Sequence, residues 1–197
     1  MKAVFLDRDG VICHNRKDHV KSWAEFQFIP RSREAIARLT AAGLPIVVIT
    51  NQAAINRGII SVSTLQDIHQ NMIAQIKAHG GRVAGIYHCP HRPDEHCACR
   101  KPQPGMLLRA AQELGIDLAD SYLVGDAVTD IQAARRAGIR AYMVLTGRGK
   151  REYLKARTQG INGYHLALNL WQAADNILRL ESGQPLQMEH PHPVLDI

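Results

Sequence analysis

The sequence predicts an α/β fold: a doubly wound parallel sheet with helices on both faces. Three observations carry this reading. Short apolar runs rich in β-branched residues recur along the chain, as expected for parallel strands covered on both faces. Segments of helical period separate them, and strands alternating with helices build a parallel sheet. The conspicuous polar residues fall where strands end, which is where such sheets bind ligands.

The elements follow in order. Lys2 to Leu6 is an apolar strand running into acidic residues. Ser32 to Ala42 carries Ile36 and Leu39 at helical spacing and stops at Gly43, a glycine C-cap. Leu44 to Ile49 is apolar throughout and reads as a buried strand. Leu65, Ile68, Met72 and Ile76 mark a helix from Ser63 to His79, closed by Gly80-Gly81. Val83 to His88 is a strand, Pro104 to Leu114 a helix and Tyr122 to Val124 a short strand before Gly125-Asp126. Asp130 to Ala137 is a helix ending at Gly138, and Arg140 to Leu145 a strand. Gly163 to Leu168 is an edge strand and Leu170 to Leu180 the last helix. Residues 1–180 read as one domain. Glu181 to Ile197, rich in Pro, His and Gln without an apolar period, reads as a mobile tail.

Bulk properties narrow the function. The 197 residues suffice for a substantial core. Apolar runs stay far below the ~20 residues of a membrane-spanning helix, and Lys2 to Asp9 has no signal-peptide pattern, so a cytoplasmic protein is expected. The formal charge is +6, but aromatics do not interleave with the basic residues as a base-stacking platform requires. A phosphate-bearing small molecule, and no nucleic acid or membrane, is the expected partner. Neither heptads nor an apolar stripe mark an oligomer, so a monomer is expected.

Asp7 and Asp9 follow a strand, and residues i and i+2 of an extended segment point the same way. Two carboxylates facing one site repel unless a cation lies between them or one holds a proton. Magnesium, which prefers oxygen ligands, would keep Asp7 ionised as a nucleophile. Asp9 could then serve as acid and base through its side chain and reach the metal through its backbone carbonyl. Asp126, at the end of another strand, offers a further metal carboxylate. Asp130 would begin the next helix and orient the metal shell.

Cys89-Pro90-His91 and Cys97-Ala98-Cys99 are two pairs separated by five residues. Together they form a Cys₃His set, the closed tetrahedral donor set of structural zinc. The segment Arg92 to His96 lacks apolar residues apart from Pro93, so a metal would have to order it. His88 and His96 flank the cluster as competing ligands, and free cysteines or a redox pair are the rival reading.

Asp7-Arg8-Asp9-Gly10-Val11, Thr50-Asn51-Gln52, Lys101-Pro102 and Gly125-Asp126 with Asp130 occur in this order. They resemble the four motifs of the haloacid dehalogenase superfamily of phosphatases. With Arg100-Lys101-Pro102-Gln103-Pro104-Gly105-Met106, they are similar to one branch over residues 2 to 148. That branch holds the D-glycero-D-manno-heptose 1,7-bisphosphate 7-phosphatases of heptose biosynthesis and the related histidinol-phosphate phosphatases. The resemblance implies a Rossmann-like fold without a large cap domain and with a zinc-binding loop at 88–101. It implies phosphomonoester hydrolysis through an aspartyl-phosphate, with a heptose bisphosphate as the leading substrate and histidinol phosphate as the alternative. In it Asp7 attacks phosphorus, Asp9 is the acid/base, Thr50 binds phosphoryl oxygens and Lys101 neutralises their charge. Asn51, Gln52, Arg57 and Arg100 contact substrate. Asp7, Asp9 and Asp126 bind magnesium, and Cys89, His91, Cys97 and Cys99 bind zinc.

Two positions depart from the branch. Ala127 stands where many relatives carry Lys, and Arg31 where many carry Gly. Two readings from other classes compete with the enzyme. A phospho-receiver switch would hold its phosphoryl group on Asp7, but Asp9 would promote its release. A zinc module binding nucleic acid would leave the four motifs unexplained. Among the other features, Trp23, Phe26 and Phe28 are expected mainly to pack against the sheet, and Thr146-Gly147-Arg148 could bind a second phosphate.

Overall fold

The computed structural model describes residues 1–185. The expected tail therefore falls outside the described residues from 186 onward. Six strands form one sheet in the order β3-β2-β1-β4-β5-β6. They are β1 Val4–Leu6, β2 Ile46–Asn51, β3 Val83–Cys89, β4 Tyr122–Gly125, β5 Arg140–Val144 and β6 Tyr164–Ala167. Every pairing is parallel. Val4 of β1 lies in register with both Ile46 and Tyr122, so β1 is central and the winding reverses between β1 and β4. Crevices for ligands open at the carboxyl ends of strands at such a reversal.

The helices are α1 Ser32–Ala41, α2 Val62–Ala78, α3 Gly105–Leu114, α4 Val128–Ala137, α5 Gly149–Thr158 and α6 Leu170–Glu181. β1 shows why both sheet faces are covered. Val4 and Leu6 point into a core with residues of α1, α2 and α6. Phe5 points into a second core with residues of α3, α4 and α5. Full burial of one such side chain contributes ~1.5–3 kcal/mol, so alternation on this one strand ties both helix layers to the sheet. Trp23 stacks on Phe26, Phe28 meets both edge-on, and the three join the first core, as expected.

Three expectations need correction. Residues 149–158, read without an element, form α5. That helix buries only Gly149, Glu152 and Ala156, too few apolar positions to show a period. Asn51 completes β2 instead of following it. Asp130 lies in the first turn of α4, not at its start, and its Oδ2 accepts a hydrogen bond from the Ala127 N–H at 3.0 Å. No large cap domain is present among the described residues. The β1–α1 connection is closed by single bridges from Cys13 to Asp9 and to Phe28. No described helix is long and apolar enough to cross a membrane.

Candidate active site and metal centres

Asp7 is the first residue beyond β1 and is buried. Its Oδ1 accepts the Arg8 N–H at 2.8 Å and stands 3.0 Å from Lys101 Nζ. Lys101 reaches it from the loop before α3. The Lys101 ammonium also donates to the Ile49 carbonyl at 3.0 Å and lies 2.6 Å from Asp130 Oδ1. No other donor is aligned on that oxygen, so Asp130 relies on the lysine charge. Burial pushes the Asp7 carboxyl up to about 7, against the pull of Lys101 and with the repulsion of Asp130 and Asp126. Burial opposes the charge on Lys101, but Asp130 and Asp7 outweigh it and hold its pKa above the usual value.

The Asn51 amide fixes Lys101 from behind. Its Nδ2 donates to the Lys101 carbonyl and its Oδ1 accepts the Lys101 N–H, both at 3.1 Å. Asn51 was expected to contact substrate. Both ends of its amide are engaged by the Lys101 backbone, a positioning contact that sequence spacing does not reveal.

Asp126 is fully buried at the end of β4. Its Oδ2 accepts the Arg148 N–H at 2.7 Å, and Arg148 Nη2 stands 3.2 Å from Oδ1. Burial raises its pKa, with Arg148 opposing. Glycines let the backbone close on this carboxylate. A Cβ on Gly10, whose φ is +94°, would lie 2.1 Å from Asp126 Oδ2, and one on Gly147 would lie 2.4 Å away. Carboxylate oxygens of Asp7, Asp126 and Asp130 all lie within 4.8 Å of one another. Such a group of hard oxygen donors fits a magnesium ion. The charges agree: among the described residues, the carboxylates of Asp7, Asp9, Asp126 and Asp130 pair with Arg8, Lys101 and Arg148. A buried excess of negative charge favours a bound cation.

The Asp9 side chain points away from that cluster. Arg8 grips it with a two-pronged contact: Nε donates to Oδ2 and Nη2 to Oδ1, both at 3.1 Å. Gln52 Nε2 donates to Asp9 Oδ2 and to Thr50 Oγ1, both at 2.8 Å. Burial alone would raise the Asp9 pKa, but pairing with Arg8 and hydrogen bonds from Arg8 and Gln52 outweigh it and hold the group below the usual carboxylate range. Thr50 and Gln52 are buried at the carboxyl end of β2. The Asp9 side chain is thus separate from the three clustered carboxylates.

The cysteine cluster is equally compact. Cys89 Sγ lies 3.4 Å from His91 Nδ1, 3.6 Å from Cys97 Sγ and 3.2 Å from Cys99 Sγ. Cys99 Sγ lies 3.3 Å from His91 Nδ1 and 3.4 Å from Cys97 Sγ. A tetrahedral zinc with Zn–S near ~2.3 Å needs sulfurs about 3.8 Å apart, so the edges are close to those of a zinc site. Neither His88 nor His96 belongs to the group. The loop carries the next functional residues: the Arg100 N–H donates to Cys97 Sγ at 3.3 Å, and Arg100 Nη1 donates to the His91 carbonyl at 3.0 Å. Asn56 Nδ2 also donates to Glu95 Oε1 at 2.9 Å, joining the β2–α2 loop to the same segment.

These parts surround a cavity of about 990 Å³ at the carboxyl ends of the strands, lined by Asp7, Asp9, Thr50, Asn51, Gln52, Arg57, Arg100 and Lys101. Arg16, Lys17, Arg148, Lys150 and Arg151 line it too. Of these, Arg148 is the one the sequence suggests for a second phosphate, and Arg148, Lys150 and Arg151 belong to its nearest approach to a basic cluster, whose helix α5 the sequence does not show. The basic run from Arg148 to Arg157 was the available signal. The Arg31 departure is explained locally: Arg31 has a left-handed φ of 64°, and its guanidinium lies 3.4 Å from the Trp171 ring centre. At Ala127, the cation on the neighbouring Asp126 is Arg148.

Comparison with known proteins decides the family. A D-glycero-beta-D-manno-heptose-1,7-bisphosphate 7-phosphatase of Bordetella bronchiseptica is 44% identical over 151 residues, 77% of this chain and 84% of the relative. One of the same name from Pseudomonas aeruginosa is 41% identical over 157 residues, covering 80% and 88%. This chain belongs to that phosphatase family. A family model described as HAD-hydrolase-like matches residues 98–173. The crystal structure of the D,D-heptose 1,7-bisphosphate phosphatase from B. bronchiseptica with magnesium and phosphate superposes with a TM-score of 0.87 at 40% identity, covering 91% of this chain and 99% of that one. The corresponding phosphatase of Burkholderia thailandensis gives a TM-score of 0.71 at 35% identity, covering 90% and 99%. The fold is the haloacid dehalogenase fold, and the chain is a phosphatase.

Proposed function

We propose that this phosphatase hydrolyses the 7-phosphate of D-glycero-D-manno-heptose 1,7-bisphosphate, with the β anomer named for its relatives as the preferred form. The observation that carries the reading is the pairing of two features in one cavity. Asp7 stands among metal-facing carboxylates at its floor, and a wall of arginines and lysines surrounds them. One phosphate needs the floor. A second phosphate on the same molecule accounts for the basic wall.

The residues divide the work as phosphoryl transfer requires, by positioning and by charge neutralisation. An Asp7 oxygen attacks phosphorus, and the bond to the sugar oxygen breaks while Asp9 gives that oxygen its proton. Water then attacks the aspartyl-phosphate and loses a proton to Asp9, releasing phosphate and restoring Asp7. Asp9 must hold a proton at the first step although Arg8 favours its anion. An incoming phosphate dianion raises its pKa by like-charge repulsion. Lys101 and Thr50 hold the transferring oxygens, and Arg57 and Arg100 hold the sugar end. Asp7, Asp126 and the Asp9 carbonyl would hold magnesium, with Asp130 beside them. The metal supplies charge neutralisation to the transferring group. Cys89, His91, Cys97 and Cys99 would hold a structural zinc that orders the wall carrying Arg100.

Phosphate release with magnesium from both anomers of the heptose bisphosphate and from histidinol phosphate tests the assignment, with Asp7→Asn as control. Turnover of the β anomer at least tenfold above the others, abolished by Asp7→Asn, is expected. Preference for histidinol phosphate would overturn the substrate while leaving the chemistry.

A further inference from the structure

Arg8 is an unusual cation: its side chain is 1% exposed. Two of its nitrogens hold Asp9, as described. Its remaining terminal nitrogen, Nη1, lies 3.2 Å from His69 Nε2. His69 comes from the middle of α2, 61 residues away, and is itself buried. It touches no part of the cavity floor, and no family motif quoted above contains it. A guanidinium has only donors, so the facing imidazole nitrogen must be the acceptor and His69 must be neutral with its proton on Nδ1. Burial and the nearby Arg8 and His88 charges favour that neutral ring, against a weaker pull from Asp9, and lower its pKa to about 3. The His88 ring packs edge-on at 6.2 Å.

We infer that His69 is a positioning residue for the reaction: its Nε2 lone pair holds the third corner of the Arg8 guanidinium, so that the other two corners keep Asp9 aimed for proton transfer. With Nε and Nη2 on Asp9 and Nη1 on His69, the guanidinium plane is held at all three of its nitrogens, from two different segments. Without His69 the buried Nη1 N–H lacks its acceptor and Arg8 can turn toward another one, taking the Asp9 carboxylate with it. Displacements of about 1 Å at a reacting group cost on the order of a hundredfold in rate.

The inference rests on Asp9 being the acid/base, and the test separates the two. Wild-type protein with magnesium is followed through its first turnover on the heptose bisphosphate and on p-nitrophenyl phosphate, whose leaving group departs without a proton, so that transfer to Asp7 is read before the water attack that needs Asp9 with either substrate. Wild-type turnover of both establishes the phosphatase chemistry. Asp9→Asn should then slow the sugar phosphate far more than the aryl phosphate. Failure there would sink the role of Asp9 itself. His69→Leu should lower the first-turnover rate of the sugar phosphate by roughly tenfold to a hundredfold, with KM nearly unchanged and the first-turnover rate of the aryl phosphate affected less than threefold. His69→Gln, whose side-chain oxygen can accept from Arg8, should recover most of that loss. His69→Asn, too short to reach, should behave as Leu does and reads the same quantity if the Leu variant fails to fold. A folded Leu or Asn variant with the wild-type first-turnover rate on the sugar phosphate, or one that slows the first turnover of both substrates equally, would overturn the inference.

Discussion

Lys101 shows how much one side chain carries. It is 3% exposed and lies between Asp7 and Asp130. Removing one partner of a buried ion pair leaves uncompensated charge and costs about 3–5 kcal/mol. Lys101→Met should therefore destabilise the metal-free protein by about that amount in urea unfolding. Saturating magnesium should restore part of the loss, because the ion takes over the neutralisation of Asp7. An unchanged unfolding midpoint would mean that the two carboxylates do not depend on Lys101. Residue by residue, the sequence was informative where a role follows from local spacing. Asp7 and Asp9 share a direction because they are two apart on extended chain. The Arg8–His69 contact and the Asn51 clamp were not legible, since each joins segments 50 or more residues apart. A histidine on one face of an amphipathic helix carries no signal of its own.

Among the elements, the segment from β3 to α3 couples the Cys₃His cluster to the cavity wall. Arg100 is tied to Cys97 Sγ and to the His91 carbonyl. Stripping zinc with a chelator that leaves magnesium saturating should loosen Arg92 to Arg100. It should raise KM for the heptose bisphosphate by about tenfold, and limited proteolysis should cut within 92–96. Unchanged KM and kcat after complete zinc removal would break the coupling between that loop and the substrate. The cysteine spacing made this cluster readable in advance, because a Cys₃His set needs only two short pairs brought together. α5 was hidden for the opposite reason. Its inner face is Gly149, Glu152 and Ala156, and a glycine with a glutamate does not register as an apolar stripe. Glu152 is nonetheless functional for the fold: its Oε2 accepts the Val128 N–H at 3.2 Å, at the first residue of α4.

For the whole molecule, the charge balance of the site predicts how metal and proton compete. The Asp7 pKa stands at about 7 in the fold against 3.8 ordinarily. For a carboxyl whose pKa is raised by folding, the ionised form is the costly one. The cost is absent below about 3.8 and fully present above about 7. Magnesium binds the ionised form and offsets that cost. At a magnesium concentration of about a hundred times Kd, Tm should rise by roughly 5–10 °C at pH 8. The rise should shrink as pH falls through 7 and nearly vanish at pH 5. A magnesium-induced shift that is equal at pH 5 and pH 8 would show that no protonated carboxylate stands in the metal's way. The strand order places this charge at the reversal between β1 and β4. The reversal was foreseeable as a consequence of alternating strands and helices, whereas the strand order itself depends on pairings that a linear pattern does not contain. The central claim concerns one bond: the ester at C7, broken through Asp7. Phosphorus NMR of the β heptose 1,7-bisphosphate, followed in real time with magnesium, reads that bond directly. The account predicts loss of the 7-phosphate resonance with the anomeric phosphate retained, and no change with Asp7→Asn. Loss of the anomeric phosphate first, or hydrolysis that survives Asp7→Asn, would contradict it.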